Sequence, residues 1–205
     1  MPDQFWRLPP YTVEEVFASL TQIVDWGIKD FSVQDNLWAR GADGKGIRIA
    51  ILDTGAPDHP DLIPALVELK DFTNSRSQAA DRQGHSTHVC GIAAGRNNEL
   101  ATVGMAPECD LLTGKVLGDT GTGSAGSVSR GIRWAADRKA HVISMSLGSP
   151  SPDQDIHDAI NYARAAGSWV ICAAGNAGPG PNTMEYPGAW PEVIAVASVN
   201  QAREI

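Results

Sequence analysis

Two short stretches of the chain can do acid–base chemistry. Ile49-Ala50-Ile51-Leu52-Asp53-Thr54-Gly55 is an apolar run ending in a carboxylate and a glycine turn, and Gly84-His85-Ser86-Thr87-His88-Val89 sets an imidazole where a helix should begin, His85 following Asp53 by 32 residues. A carboxylate at the tip of a buried parallel strand is half desolvated. It can accept the Nδ1 proton of a histidine and so fix the tautomer whose Nε2 is a free base. That is two thirds of a nucleophilic triad. A third stretch, Trp169-Val170-Ile171-Cys172-Ala173-Ala174-Gly175-Asn176, closes another apolar run with small residues and a side-chain amide. Such a donor can stabilise the oxyanion that develops when a nucleophile adds to an acyl carbon, an effect of about 10²–10³ in rate. Taken singly, Asp53 reads equally as a turn former, His85 as a structural histidine and Asn176 as a left-handed loop residue. Only their combination points to chemistry.

Such residues need a scaffold that brings strand ends together. From Gly46 onward the hydrophobic pattern predicts strands over 47–52, 110–116, 142–146, 169–174 and 193–198, and helices over 87–94, 127–137 and 156–166. Strands alternating with helices predict an α/β fold of three layers, a mostly parallel sheet with helices on both faces. In such a fold, sites form beyond the C-terminal ends of the strands. Asp53, Ser146 and Asn176 all fall at such ends. Residues 1–20 differ from the rest: Leu8-Pro9-Pro10-Tyr11 must be extended, and 12–16 reads as a short capped helix.

At 205 residues the chain suits one globular domain, and 42% hydrophobic with 20% charged residues argues against disorder and against a membrane protein. No apolar run reaches the roughly 18 residues of a membrane span, and the first residues lack the basic start and apolar centre of a secretory signal, so a cytoplasmic location is expected. A formal net charge of −8 speaks against nucleic acid or an anionic membrane as partner and suits calcium or basic peptides. Cys90, Cys109 and Cys172 are odd in number, without CxxC spacing, and are expected to be buried thiols. The glycine-rich stretches 118–126 and 175–181 match no phosphate-binding motif. Glycine there lets another backbone approach closely, and an extended peptide is the natural guest.

With these residues in hand, the chain resembles the subtilisin family of serine peptidases over about residues 21–205. The separations of 32 residues from Asp53 to His85 and 91 from His85 to Asn176 are those of that family. Further matching text is His59-Pro60-Asp61-Leu62, Gly104-Met105-Ala106-Pro107, Ser144-Met145-Ser146-Leu147-Gly148 and Tyr186-Pro187. The intracellular subtilisins are the most similar branch, because Arg7-Leu8-Pro9-Pro10-Tyr11 resembles their inhibitory Leu-Ile-Pro-Tyr segment, with Pro9 in place of Ile. Ser86 stands where the family usually carries Gly.

The resemblance implies a serine endopeptidase in which Asp53 orients, His85 is the base and Asn176 the oxyanion donor. Gly121-Thr122-Gly123 and Ser146-Leu147-Gly148 would clamp substrate as an added strand, with Ala173 and Gly175 beside them. Glu185, near the base of the primary specificity pocket, would favour Lys or Arg at the cleaved residue if it points inward; the other reading is a solvated loop residue. A structural Ca²⁺ would be held by Gln22, Asp61 and Asn98 side chains and by the carbonyls of Arg96, Leu100 and Thr102, oxygen donors of the kind calcium prefers. The alternative is a polar surface loop. The segment Leu8, Pro9, Pro10 and Tyr11 would inhibit, since proline lacks an N–H, is fixed in φ and holds its peptide bond away from attack. Peptides or proteins are the implied partners, and a homodimer the implied assembly at full length.

The family spacing puts the nucleophilic Ser roughly 65 residues after Asn176, and no Gly-Thr-Ser-Met-Ala run occurs in the chain. The expectation is therefore an N-terminal extension over 1–20, followed by an incomplete peptidase domain over 21–205 that lacks the C-terminal part of the fold and is inactive by itself. The competing reading is a naturally truncated, non-catalytic peptide-binding or regulatory protein.

Overall fold

β-branched and leucine residues with alternating face preference build the centre of the molecule. The structure, a computed structural model, describes residues 5–8, 22–178 and 180–204. In chain order its elements are β1 (Phe5–Arg7), α1 (Trp26–Asp30), α2 (Val33–Asn36), β2 (Arg48–Asp53), β3 (Leu66–Asp71), α3 (His85–Ala94), β4 (Asp110–Lys115), β5 (Thr122–Ser124), α4 (Ala125–Asp137), β6 (Val142–Met145), α5 (Gln154–Ala165), β7 (Trp169–Ala173) and β8 (Ile194–Val196). Six strands form one parallel sheet in the order β3-β4-β2-β6-β7-β8. β1 and β5 form a separate antiparallel pair.

Period-two alternation explains why helices cover both faces. In β2, Ala50 and Leu52 join the core made with Val128, Ile132 and Ala135 of α4 and Ile156, Ala159, Ile160 and Ala163 of α5. Ile49 and Ile51 face the other way, against Cys90 and Ala94 of α3. The helical residues recur at three- and four-residue spacing, the stripe of an amphipathic helix. Burying a side chain such as Leu52 or Ile51 contributes about 1.5–3 kcal/mol. The three-layer α/β architecture expected from the sequence is therefore present, and among the described residues no helix is long and apolar enough to cross a membrane.

Several boundaries differ from the sequence expectation. α4 and α5 begin two residues before the expected starts at 127 and 156, because Ser124 caps α4 by accepting from Ser127 N and Asp153 caps α5 by accepting from Asp155 N and Ile156 N. α3 begins at His85 rather than Thr87, after Gly84 turns the chain at φ +80°. The last strand spans only Ile194–Val196. The edge strand β3 was not expected; its Val67 and Leu69 are exposed, which blurs the alternation. α1 and α2 were not expected either, each being too short for a periodic signal. Pro9, Pro10, Tyr11 and the helix expected over 12–16 lie outside the described residues.

The turn after β2 is made by Gly55 at φ +143°, where an added Cβ would stand 2.7 Å from Ala79 O and from Asp81 N. Both steric space and backbone conformation demand glycine there. Gly55→Ala is expected to cost about 2 kcal/mol or more, read as a lower urea midpoint with unchanged slope; an unshifted midpoint would refute the close approach.

Candidate active site

Asp53 is the last residue of the central strand β2 and is fully buried. Its Oδ1 accepts from Thr54 N at 2.7 Å. His85, the first residue of α3, lies with Nδ1 2.9 Å from both Asp53 oxygens. An N–H aimed between two carboxylate oxygens places the proton on Nδ1 and leaves Nε2 as the basic nitrogen. The His85 side chain is 12% exposed. Burial pushes its pKa down, but the hydrogen bond and charge of Asp53, together with the charge of Asp81, outweigh burial and raise it above the usual histidine value.

Ser86, where an added hydroxyl stood beside the histidine in the sequence, is fully buried and donates its Oγ proton to Gly55 O. Its backbone N–H donates to Thr54 Oγ1 at 3.1 Å. The hydroxyl is therefore satisfied within the turn that carries Asp53. Beneath this turn lies Lys115, the last residue of β4, whose side chain is wholly buried. Its ammonium donates to Thr54 O at 2.6 Å and Ala80 O at 3.0 Å and pairs with Asp119 at 3.0 Å. The hydroxyl of Ser77, first, and then Lys115 hold the Asp119 carboxyl below its usual range. Sequence reasoning missed Lys115, although a lysine ending an apolar run is an anomaly that could have marked it.

The two edge segments already hold a strand, and that strand is the chain's own N-terminal segment. β1 pairs antiparallel with β5, Trp6 opposite Gly123 and Arg7 opposite Thr122. On its other side Arg7 exchanges backbone hydrogen bonds with Gly148, Arg7 N to Gly148 O at 3.3 Å and Gly148 N to Arg7 O at 3.2 Å. Leu8 N donates to Gly121 O at 3.2 Å, and Leu8 packs against the core. Trp6 is fully buried in the core beside α4. Its burial was not expected; the aromatic residue two before Leu8 was the available signal.

Asp53 ends β2, Ser146 follows β6 and Asn176 stands three residues beyond β7. Those strands are successive neighbours in the sheet, with a spacing of about 4.8 Å, so the three residues share one rim. Asn176 is exposed and lines a hollow of about 490 Å³ with Gly175, Thr183, Met184 and Ser198. Leu147 is buried in the core, and Ala173 is the last residue of β7, in register with Val196. Glu185 is tied to this rim through its N–H to Ala174 O at 2.8 Å. Its side chain is half-buried against two glycines: a Cβ on Gly148 would collide with its carboxylate, and one on Gly175 would sit 3.0 Å from its Cγ. It therefore points between the Gly148 and Gly175 segments rather than out of the loop.

A second cluster gathers oxygen atoms. Asp61 is 3% exposed, and one of its carboxylate oxygens has no hydrogen-bond partner among the described residues. Burial raises its pKa, outweighing the hydrogen bonds from the Asn98 side chain and Arg96. The Gln22 carboxamide lies 2.7 Å from Arg96 O and 3.4 Å from Leu100 O, and a carboxamide flip presents its oxygen at the same place. Asn98 Oδ1 accepts from Leu100 N at 3.0 Å, and Thr102 bridges to Ile23. Among the described residues no group of three or more His, Cys, Asp or Glu converges as a metal site. The donors here are instead one acid, carboxamides and carbonyls, a set that fits calcium.

Comparison with known proteins agrees with this geometry. Residues 44–205 match the family described as the Subtilase family. The chain is 40% identical over 208 residues to the major intracellular serine protease of Bacillus subtilis, covering 97% of this chain and 65% of that protein. It is 41% identical over 184 residues to the thermostable alkaline protease of Halalkalibacterium halodurans, covering 90% of this chain and 50% of the relative. It is 41% identical over 165 residues to the intracellular serine protease of Paenibacillus polymyxa, covering 77% and 51%. The chain thus spans between half and two thirds of the length of these relatives. A buried acid–imidazole pair at the rim of a parallel sheet, joined to matches of this extent, places the chain in the subtilase family.

Proposed function

We propose that this chain carries the acid–base and oxyanion parts of a serine endopeptidase, and that the nucleophilic serine comes from sequence outside these 205 residues. The observation that carries the reading is the Asp53–His85 contact, with Nδ1 at 2.9 Å from both oxygens. Held in this tautomer, His85 Nε2 takes the hydroxyl proton of the serine as it adds to the peptide carbonyl, then returns it to the leaving amine. Asp53 stabilises the imidazolium between those steps. The Asn176 amide donates to the oxyanion. Substrate is an extended peptide lying where β1 lies, held by the main chain of Gly121, Thr122 and Gly123 on one side and of Ser146, Leu147 and Gly148 on the other, with Ala173 and Gly175 flanking the scissile bond. Glu185 sits where a Lys or Arg side chain at the cleaved residue would meet a carboxylate. The relatives named intracellular serine proteases favour action inside the cell.

The occupied cleft supports autoinhibition. Residues 5–8 take the backbone pairing that a substrate needs, and the following prolines offer a peptide bond with no N–H to place. Gln22, Asp61 and Asn98, with the carbonyls of Arg96, Leu100 and Thr102, would hold a calcium ion, which would offset the charge of the buried Asp61 carboxylate and join the segment before α1 to the loop before β4.

Four outcomes are expected. The chain alone shows no turnover of a peptide substrate. In a protein that continues into the serine segment, Asp53→Asn lowers kcat by about 10⁴ and His85→Ala by about 10⁶; full activity of the His85 variant would falsify the reading. In that same protein, removal of residues 1–19 raises kcat/KM, whereas unchanged rates exclude an inhibitory role. Finally, calcium at about a hundredfold over its Kd adds about 2.7 kcal/mol, so chelation lowers Tm by about 5–10 °C. Asp61→Asn abolishes that difference; a Tm indifferent to chelator argues against the site.

A further inference from the structure

The loop that precedes α3 folds around one side chain to which the reaction assigns no role. Asp81 accepts from Gln83 N and Gly84 N at 3.0 Å through Oδ1, and from Thr87 N at 2.9 Å and Thr87 Oγ1 at 2.8 Å through Oδ2. These donors are the last loop amides and the third residue of the helix that His85 begins. The same carboxylate accepts from Thr54 Oγ1 at 2.8 Å, and Thr54 is the residue after Asp53. The Thr54 hydroxyl in turn accepts from Ser86 N at 3.1 Å, the amide next to His85. Two elements from distant parts of the chain, the tip of β2 and the start of α3, are thus joined through one carboxylate and one hydroxyl.

We propose that Asp81 is a positioning residue for the Asp53–His85 pair, locking the Thr54 turn and the first turn of α3 into one unit so that the imidazole meets both Asp53 oxygens. The inference rests on reading that pair as orienter and base. Three physical facts support it. Without a tie, a helix N-terminus carrying unsatisfied N–H groups frays, and fraying of α3 would carry His85 away from Asp53. A carboxylate at the start of a helix complements both those amides and the helix dipole. The donors around Asp81 also overcome the upward push of burial and hold its carboxyl below its usual range, so the tie is anionic wherever His85 titrates. The charged groups around His85 include Asp53 from β2 and Asp81 from the preceding loop, with Lys115 from β4 behind the Thr54 turn and paired to Asp119. Cys90, one turn further along α3, is a neutral thiol whose pKa burial pushes up.

The readout is spectroscopic and needs no turnover, and the test is made in the protein that continues into the serine segment. Proton NMR of the wild type is expected to show a low-field His85 Nδ1 resonance and a His85 titration above that of a free histidine. Asp81→Asn, close in shape but uncharged, is expected to shift the titration downward and broaden or remove the low-field resonance. Thr54→Val, which keeps the charge but cuts the hydroxyl relay, should weaken the resonance, and Thr54→Ser should restore it. If Asp81→Asn fails to fold, the Thr54 pair decides alone. A folded Asp81→Asn that leaves resonance and titration unchanged overturns the proposal, as does a Thr54→Val indistinguishable from wild type. Absence of the resonance and of a raised titration in the wild type instead overturns the orienter–base reading, and this inference with it.

Discussion

A carboxylate with no access to water is the constraint around which the rest of the structure is arranged. Asp53 is fully buried at the end of the central strand, and an unpaired charge in such a place is costly enough to unfold a domain. The sheet therefore has to deliver donors to it: Thr54 N from its own turn and His85 Nδ1 from α3. Gly55 permits the turn, Lys115 ties it to β4 from below, and Asp81 anchors the helix that brings the imidazole. Geometry that satisfies a buried acid is the same geometry that fixes Nε2 as the basic nitrogen of His85, so stability and reactivity share their atoms.

The second organising feature is backbone pairing without side-chain demand. The main chains of Gly121, Gly123 and Gly148 pair with a guest strand on both sides, and in this structure the guest is the chain's own β1. Main-chain hydrogen bonds accept any sequence, so selectivity has to come from what flanks the groove. Trp6 fills the core on one side of the pairing, and the Glu185 carboxylate closes the space between the Gly148 and Gly175 segments.

Much of this was legible in the sequence because the chemistry is concentrated at strand ends. Asp53 closes an apolar run, His85 opens a helix and Asn176 follows a run of small residues, so type, spacing and position agree before any coordinates exist. The central strands were equally readable, since buried parallel strands are continuous apolar runs. β3 was not, because an edge strand with exposed Val67 and Leu69 carries little alternation. The early starts of α4 and α5 were missed because their caps are polar while the expectation followed the apolar stripe. Lys115, Trp6 and the Asp81–Thr54 contact were missed for another reason: their partners are far away in the chain, and a local anomaly can mark a residue without naming its long-range partner.

The three cysteines, free and buried, divide between the two sides of the sheet. Cys90 and Cys109 belong to the layer under α3, and Cys172 to the layer under α4 and α5. Burial raises all three thiols, to about 11 for Cys109 and about 12 for Cys172, so the native protein offers alkylating reagents almost no thiolate. Reaction requires the chain to open. The molecule consequently carries its own stopwatch for local unfolding, with one set of thiols timing the face that bears the imidazole and the remaining thiol timing the opposite face, and neither needing an introduced label.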